Sequence, residues 1–478
     1  MSGETVSNTI SGQSAVYITE SGITIEESEI SKSGDIESGS TEDSEFYGIN
    51  AAILVQGGGL TMTGGSVTTS AKGSNGIVAT NGGTVTISGT TIKSTGSASA
   101  RGLHATYGGI ITASDMIISS TGGSCATLAT DRGEGTVSCS NCTLSTQGAG
   151  SPLIYSTGSI TVNGTTGTSS AAQAVVVEGR NSATIKSSKL KCSASPNNKD
   201  DECAVLIYQS MSGDAESGTS SFNCESSSLE ILSTSSYYYS APFFYVTNTA
   251  ANINLNNCNI SFGSDIFVLI DEGSWGSSGS NGGTVSLTLT NQNIEGDIIV
   301  GSSSSLTINM VNSSIQGSIN SNKTASKLEI ILDEDSTITL YGNSYYTSLS
   351  NAKTDSSNII TGGNTWVHMM NLLIQVQHLQ PKNKKKQLQQ INKLKQMNKE
   401  KQLQKINKLE QMNKKKQFQQ INKLEQMNKK KQLQQIKKQI QQMSRMKLIK
   451  KKHLLLNLKK VKLMKFSQMI LIQNTILK

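Results

Sequence analysis

Clustered carboxylates are the side chains whose types and spacing best suit acid–base or calcium chemistry in this chain. They form three short runs, Asp200-Asp201-Glu202, Asp271-Glu272 and Asp333-Glu334-Asp335. Polysaccharide lyases and hydrolases use such carboxylates together with a basic residue that stabilises an anionic intermediate. The only arginines before the C-terminal tail occur at unrelated points of the repeats described below, and they are Arg101, Arg132 and Arg180. We therefore expect no catalytic residues.

Histidine adds little further chemistry. His104 is the only histidine within the repeats, and we expect it to be an ordinary surface or corner residue. The other three belong to a compositionally distinct tail, at His368, His378 and His453. Serine is so abundant that a Ser/His/Asp arrangement would carry no information.

The seven cysteines lack the CxxC…CxxC spacing of a zinc site. Cys139 and Cys142 form a single CxxC. We expect buried thiols stacked along the repeats, with no metal ligands and no cofactor. A disulfide between Cys192 and Cys203 is an open alternative, because these residues flank a polar insertion.

The carboxylates, arginines and cysteines lie within a repeating pattern that must position them. The pattern consists of two apolar residues at positions i and i+2, usually with a third five positions later. A step of two places both residues on one face of a strand, and the polar gap marks a corner. Met62 to Ile87 is 25 residues, and Ile87 to Ala113 is 26. Regular self-similarity with short β runs predicts an all-β parallel β-helix of about a dozen coils. The instances are Ile23/Ile25/Ile30, Leu60/Met62/Val67, Val85/Ile87/Ile92, Ile111/Ala113/Ile118, Val137/Cys139/Leu144, Ile160/Val162/Gly167, Ala183/Ile185/Leu190, Phe222/Cys224/Leu229, Ile253/Leu255/Ile260, Leu287/Leu289/Ile294 and Ile308/Met310/Ile315.

A second apolar stretch precedes this anchor pair and predicts a second sheet. Its members are Ile77/Ala79, Leu103/Ala105, Ala126/Leu128, Leu153/Tyr155, Val175/Val177, Val205/Ile207 and Phe267/Leu269. Glycine pairs come just before the anchor strand, where we expect tight corners with positive φ, at Gly57-Gly58, Gly82-Gly83, Gly108-Gly109 and Gly282-Gly283.

Departures from the period predict where the coil changes. Insertions at Ser193–Glu202 and Ser210–Thr219 are expected to form loops that carry recognition. From Leu289 to Met310 and from Met310 to Ile331 the spacing shortens to 21 residues. Phe243 and Phe244 are expected to pack inside the coil, whereas the role of Tyr237–Tyr239 stays open.

Charge divides the chain unevenly. Residues 381–478 contain 29 Lys and Arg against 3 Glu, which leaves 42 − 29 = 13 basic and 34 − 3 = 31 acidic residues before them, a net charge of −18. An acidic body should repel nucleic acid. We expect an N-terminal coil with an acidic Ser-rich excursion at 1–47, the β-helix at 48–366 and a basic low-complexity tail at 367–478.

The two termini carry further expectations. No export signal or run of ~18 apolar residues is recognisable, and a repeat already begins by Ile23, so we expect a truncated array. In the tail, a 15-residue unit such as NKKKQLQQINKLKQM spaces its apolar residues by three, which forms no helical stripe. One hypothesis is an out-of-frame product. The others are a basic helix that binds membrane, nucleic acid or the acidic body, and a solvated disordered tail.

The run GGTVTISGTTIKSTGSASARG at 82–102, with its relatives at Leu60 and Val137, resembles the repeats of right-handed parallel β-helix adhesin-like surface proteins, including autotransporter-passenger and polymorphic outer-membrane types. The resemblance covers about Gly48 to Gly317. It implies a right-handed coil and a secreted or cell-surface rod that holds binding loops away from the cell, with surface glycans or proteins as partners.

Three functions follow from this fold. The first is a non-catalytic extracellular or cell-surface adhesin-like solenoid. The alternative is a polysaccharide lyase or glycoside hydrolase of pectin-lyase-like architecture, which needs a groove where carboxylates and a basic residue converge. Ice binding is a third, less favoured function, because outward threonines occur in pairs on the anchor strands. We expect these pairs to be interrupted at Ala113 and Lys186. The pairs are Thr61/Thr63, Thr84/Thr86 and Thr288/Thr290.

Overall fold

The computed structural model describes residues 1–36, 41–198, 201–362 and 367–369. The tail after residue 369, the side chain of His368 and Asp200 of the first carboxylate run lie outside the described residues. The reading-frame hypothesis and the alternatives for the tail therefore stay predictions.

Short strands, numbered in chain order, wind into three long sheets in which every pairing is parallel. Each regular coil contributes one strand to sheet C, then one to sheet A, then one to sheet B. This is the predicted parallel β-helix, and the 13 strands of sheet A give a stack about 58 Å long at ~4.8 Å per strand.

Sheet A contains the predicted anchor strands. They are β3 (Ile23–Glu26), β6 (Gly59–Thr63), β9 (Thr84–Ser88), β12 (Ile110–Ser114), β15 (Thr136–Ser140), β18 (Ser159–Asn163), β21 (Ser182–Lys186), β24 (Thr219–Glu225), β27 (Ala250–Asn256), β30 (Thr284–Thr290), β33 (Ser305–Val311), β35 (Lys327–Leu332) and β38 (Ser348–Asn351).

Sheet B contains the strands that follow the short corner after the anchor strands β3 to β27, together with β1 at the N-terminal end. Its strands are β1 (Thr5–Asn8), β4 (Glu29–Lys32), β7 (Ser66–Thr69), β10 (Thr91–Ser94), β13 (Ile117–Ser120), β16 (Thr143–Thr146), β19 (Thr166–Ser169), β22 (Lys189–Cys192), β25 (Ser228–Ile231) and β28 (Asn259–Ser261).

Sheet C carries the second apolar stretch. Its strands are β2 (Val16–Ile18), β5 (Ile53–Gln56), β8 (Ile77–Thr80), β11 (Leu103–Ala105), β14 (Leu128–Thr130), β17 (Ile154–Ser156), β20 (Val175–Glu178), β23 (Val205–Tyr208), β26 (Phe244–Thr247), β29 (Ile266–Ile270) and β32 (Asp297–Val300). The remaining elements are the sheet of β31 (Asn293–Glu295), β34 (Ser314–Gly317), β36 (Thr337–Leu340) and β39 (Ile359–Thr361), the pair β37 (Ser344–Tyr346) and β40 (Val367–Met369), and the helix α1 (Thr41–Tyr47).

The predicted anchor residues form the interior. Val85 aligns with Ile111, and Ile87 with Ala113, so equivalent side chains of successive coils stack directly on one another. Nearly all of the anchors are buried in one continuous apolar cluster. Ile23, in the first of these repeats, is the main exception, with 37% of its surface exposed.

The predicted register is wrong in several coils. On sheet C, Leu128 aligns with Leu103, and Ile154 with Leu128, so the pairs Ala126/Leu128 and Leu153/Tyr155 are misaligned. Val268, and not Phe267, aligns with Phe244 in the same way. These strands lie in almost continuous apolar runs, because both faces are covered, and such runs lack the alternation that reveals register.

The predicted 21-residue spacing fails at its second step. Met310 pairs with Leu332, and Ile331 faces outward with 43% exposure. One extra residue in the connection before β35 shifts the inward position. Ala113 also faces inward, so it does not interrupt the outward threonines as expected.

Glycine corners are confirmed before three anchor strands. Gly57, Gly82 and Gly108 have φ of 70°, 74° and 73°, which only glycine adopts without strain. Gly282-Gly283 does not share this conformation. A Cβ at Gly283 would lie 2.8 Å from Cγ2 of Ile270, so close packing explains that glycine.

A line of buried polar side chains runs inside the coil and was not predicted from the sequence. Inward positions at the end of the sheet B strands are buried hydroxyls, at Thr69, Ser94, Ser120, Thr146 and Ser169. Thr69 Oγ1 donates to Ser94 Oγ at 3.0 Å, and Ser94 Oγ donates to the Ala100 carbonyl at 2.6 Å. Such bonds offset the cost of burying the hydroxyl groups.

We expect Phe222→Ala to lower the free energy of unfolding by about 3–5 kcal/mol, because it removes a large buried side chain and leaves a cavity. Phe222 is fully buried and packs edge-on against Phe244 with ring centroids 5.3 Å apart. Phe243 and Phe244 are buried in the same cluster, as predicted. Urea unfolding of the variant and its parent measures the change.

The matched control is Ser221→Ala, the outward neighbour on the same strand, which should change stability by less than about 0.5 kcal/mol. Equal effects of the two substitutions would contradict the inward assignment.

Candidate functional site

The outer face of sheet C is covered by other parts of the chain, and it holds the charged residues most capable of chemistry. Outward residues here would be exposed on a bare coil, but Val78, His104, Ala129 and Val176 are all buried. Two excursions from the coil reach this face, α1 and the loop 209–218 between β23 and β24, and Trp275 from the segment after β29 also packs on it.

Helix α1 lies on this face through its buried residues Ser44 and Phe46. Asn75 Nδ2 donates to the Ser44 carbonyl at 3.0 Å, and Thr106 Oγ1 donates to the Phe46 carbonyl at 2.7 Å. Its acidic first turn, with Glu42 and Asp43, complements the positive end of the helix dipole. The predicted acidic excursion is therefore a folded element at this point.

Arg101 joins the helix to the sheet. Its Nη2 lies 3.2 Å from Asp131 Oδ2 and 3.5 Å from Glu45 Oε1, with all three side chains largely buried. Burial raises the pKa of Asp131 to about 7, although the Arg101 charge opposes this rise. A buried ion pair of this kind must keep both partners, because removal of either would leave an uncompensated charge.

His104 was predicted to be a surface or corner residue, and this is wrong. It is fully buried between sheet C and α1, and its Nε2 donates to the Glu45 carbonyl at 2.6 Å. Burial, together with the nearby Arg101 charge, lowers the pKa of His104 to about 3. The imidazole is therefore neutral at physiological pH.

A carboxylate with two tyrosines occupies the next coils on the same face. Tyr155 and Tyr208 donate from their hydroxyls to Glu178 Oε2 at 2.6 and 2.8 Å. Burial, together with the nearby Glu178 charge, raises the pKa of both tyrosines well above the usual value. Trp275, in the segment after β29, packs on Tyr208 with ring centroids 4.4 Å apart.

The rim of this face carries the other two arginines. Arg132 Nη2 lies 2.6 Å from Asp214 Oδ1 in the loop 209–218, and its guanidinium stands 3.9 Å above the Phe46 ring of α1. Arg180 bridges Glu134 at 2.7 Å and Glu216 of the same loop at 2.8 Å. Arginine thus ties both covering elements to sheet C.

Although the three arginines occupy different points of their repeats, all three meet acidic partners at or beside the outer face of sheet C. Sequence reasoning also missed Glu45, Asp131 and Glu178. A signal was present: the middle outward residues of strands 53–56, 175–178 and 205–208 are apolar, at Leu54, Val176 and Leu206. Near-continuous apolar runs are typical of parallel strands buried on both faces.

The cysteines differ from prediction in two ways. Cys139 and Cys142 form a disulfide instead of remaining thiols. Cys192 and Cys203 are free and buried, so the alternative of a disulfide between them is wrong. Cys192 belongs to the interior cluster, whereas Cys203 packs with Val176 and other residues of the covered face.

Two of the three carboxylate runs, Asp271-Glu272 and Asp333-Glu334-Asp335, form hydrogen bonds to nearby polar groups. Glu272 Oε1 accepts from Ser303 Oγ at 3.0 Å, and Asp333 Oδ1 accepts from the Ser336 amide at 2.8 Å. Within the described ranges, no three His, Cys, Asp or Glu side chains are grouped to hold a metal ion. The same ranges contain no helix of the length and apolarity needed to cross a bilayer.

No protein-family model, curated protein or solved structure matches this chain. Its chemistry must therefore be inferred from its own residues. On the covered face, each arginine already has a carboxylate partner, so the arrangement fastens α1 and the loop 209–218 to the coil.

We expect acid to weaken the fold through His104. Its folded pKa of about 3 lies below the unfolded value of 6.5, so the unfolded state binds a proton first and stability is lost as pH falls below 6.5. At pH 5 this loss is about 2 kcal/mol relative to pH 7. Asp131, with its raised pKa, acts in the opposite direction over the same range.

The test compares urea unfolding of the parent and His104→Gln at pH 5, 6 and 7. Gln can still donate to the Glu45 carbonyl but does not titrate. Between pH 7 and pH 5 the parent should lose about 2 kcal/mol more than the variant. Parallel pH profiles would show that His104 is not held neutral.

Proposed function

We propose that this chain is a non-catalytic, adhesin-like solenoid, secreted or on the cell surface, that presents polar faces and loops to carbohydrate or protein partners. The parallel β-helix supplies a rigid rod. The observation that supports binding is a polar column on the outer face of sheet A, which runs over the first 11 of its 13 strands and ends at the outward Ile331 of β35. It consists of Thr24, Thr61, Thr86, Thr112, Ser138, Thr161, Thr184, Asn223, Asn254, Thr288 and Asn309.

This column suits the recognition of a polymer that lies along the rod. Asn254 Nδ2 donates to Asn223 Oδ1 at 2.9 Å, so neighbouring amides hold each other in fixed orientations. Two strand spacings, about 9.6 Å, are close to the length of a disaccharide unit. Preorganised donors and acceptors at a regular spacing reduce the entropy cost of binding.

Two shallow grooves flank the corner between sheets A and B. One is lined by Thr184, Lys186, Asn223, Glu225 and Asn254, among others. The lining of the second includes Lys189, Ser226, Asn257, Asn259, Asn291 and Asn293. Hydroxyls and amides dominate both, and Lys186 is paired with Glu225 at 3.6 Å. This composition favours a neutral partner.

A lyase or hydrolase of pectin-lyase-like architecture is the second candidate. In its favour, Asp131, Glu178 and Arg101 share one face of sheet C. Against it, all three are buried beneath covering elements, and Asp131 is paired with Arg101. A general acid or base must reach its substrate within hydrogen-bond distance.

Ice binding gains no support from the outward columns. The columns beside the central one include Ile110, Lys186 and Glu225, so the surface lacks a flat threonine array.

We expect the 478-residue chain to bind at least one immobilised neutral hexaose of glucose, galactose, mannose or N-acetylglucosamine at physiological salt. Neutral probes are required because the basic tail attracts polyanions without specificity. Glycan-array fluorescence measures the binding.

The same protein should release neither unsaturated product nor new reducing ends from polygalacturonate in the presence of calcium. Cleavage that Glu178→Gln abolishes would establish the second candidate instead. Absence of binding to every neutral hexaose would count against the glycan-binding form of the proposal.

A further inference from the structure

Two stacked tyrosines form an aromatic platform at the rim of the covered face. The rings of Tyr47, the last residue of α1, and Tyr107, at the corner after β11, lie 5.5 Å apart and are parallel within 1°. Tyr47 is 48% exposed. Tyr107 stacks on one face of the Tyr47 ring, and about half of the Tyr47 surface remains exposed to solvent.

The next coil supports this platform from behind. A Cβ at Gly133 would lie only 2.4 Å from Cδ1 of Tyr107, and Gly133 has a φ of 78°. Glycine therefore allows the backbone to press against the tyrosine. The stack of Gly133, Tyr107 and Tyr47 fixes the height and tilt of the exposed ring.

The helix that carries Tyr47 is fixed as well. Phe46 is buried under the Arg132 guanidinium, and Glu45 is tied to Arg101 by its carboxylate and to His104 by its carbonyl. A ring held this way loses little conformational entropy when a partner stacks on it.

Charged groups border the platform on one side. Tyr107 stacks on Tyr47 and lies near the Arg132 charge, and Arg132 is paired with Asp214. Glu134 accepts from Arg180 and follows Gly133 directly. With Glu216, the rim contains two arginines and three carboxylates, a net charge of −1.

These features match one sugar residue. The C–H face of a pyranose ring stacks on an exposed aromatic face, while its hydroxyls accept from a guanidinium and donate to a carboxylate. Because every rim arginine is already paired and the rim is slightly acidic, an anionic sugar is disfavoured.

We propose that the exposed ring face of Tyr47, backed by Tyr107 and bordered by Arg132 and Asp214, is a subsite for one neutral pyranose residue of a glycan. This inference rests on the proposed glycan-binding function. It places an aromatic anchor on a different side of the rod from the polar column of sheet A.

The experiment uses the 478-residue chain and the same neutral hexaoses, with dissociation constants from biolayer interferometry. Tyr47→Ala should weaken binding of the recognised hexaose at least tenfold, because the stacking surface is lost. Tyr47→Phe keeps the ring and should stay within twofold of the parent. Tyr47→Leu keeps apolar contact with Tyr107 but lacks an aromatic face, so it should also weaken binding and guards against misfolding of the alanine variant.

The matched control is Tyr239→Ala, which removes a tyrosine that is 80% exposed on a turn outside this rim. It should bind like the parent. Parent-like binding by both Tyr47→Ala and Tyr47→Leu would overturn the subsite and leave the proposed function standing. Failure of the parent to bind any neutral hexaose would remove both. Tyr47-dependent binding of a proline-rich peptide, with no hexaose binding, would overturn the sugar assignment.

Discussion

Stacking of equivalent side chains from coil to coil is the constraint on which the molecule depends. A single coil cannot cover its own apolar residues, so each is buried by the coils above and below it. Any change of register would turn an entire strand inside out, because side chains alternate between faces. The glycine corners before the anchor strands, and the left-handed residues such as Asn141 and Asn257 after them, keep this register constant.

The same stacking explains why polar groups form lines. Inside the coil, Thr69 and Ser94 bond to each other and to backbone carbonyls. Outside it, Asn223 and Asn254 are bonded along the axis in the same way. The interior line has no access to solvent and serves stability, whereas the exterior line is available to a partner. Position in the coil, and not residue type, separates the two roles.

Sheet C shows how a repeat protein acquires irregular features without losing its coil. Helix α1 and the loop 209–218 leave the array, return to the outer face and are held there by ion pairs from Arg101, Arg132 and Arg180. The carboxylates of Asp131 and Glu45 compensate the buried charge of Arg101, whereas the pairs of Arg132 and Arg180 are partly exposed. The ion pairs thus hold α1, which carries Tyr47, and the loop 209–218 against the coil.

The amino-acid sequence by itself determined the coil. The spacing of pairs such as Val85/Ile87, together with the glycines before them, was enough to predict the parallel strands, the inward residues and the approximate number of coils. The spacing and the glycines are local patterns, so they can be recognised in the sequence alone. It misplaced Leu153 and Ile331, where covered strands or changed connections hide the alternation. Only the tertiary structure decided the environment of His104 and the meeting of Asp131 with Arg101. Residues far apart in the chain share a face only after the excursions fold back, and no local pattern encodes how far each excursion reaches.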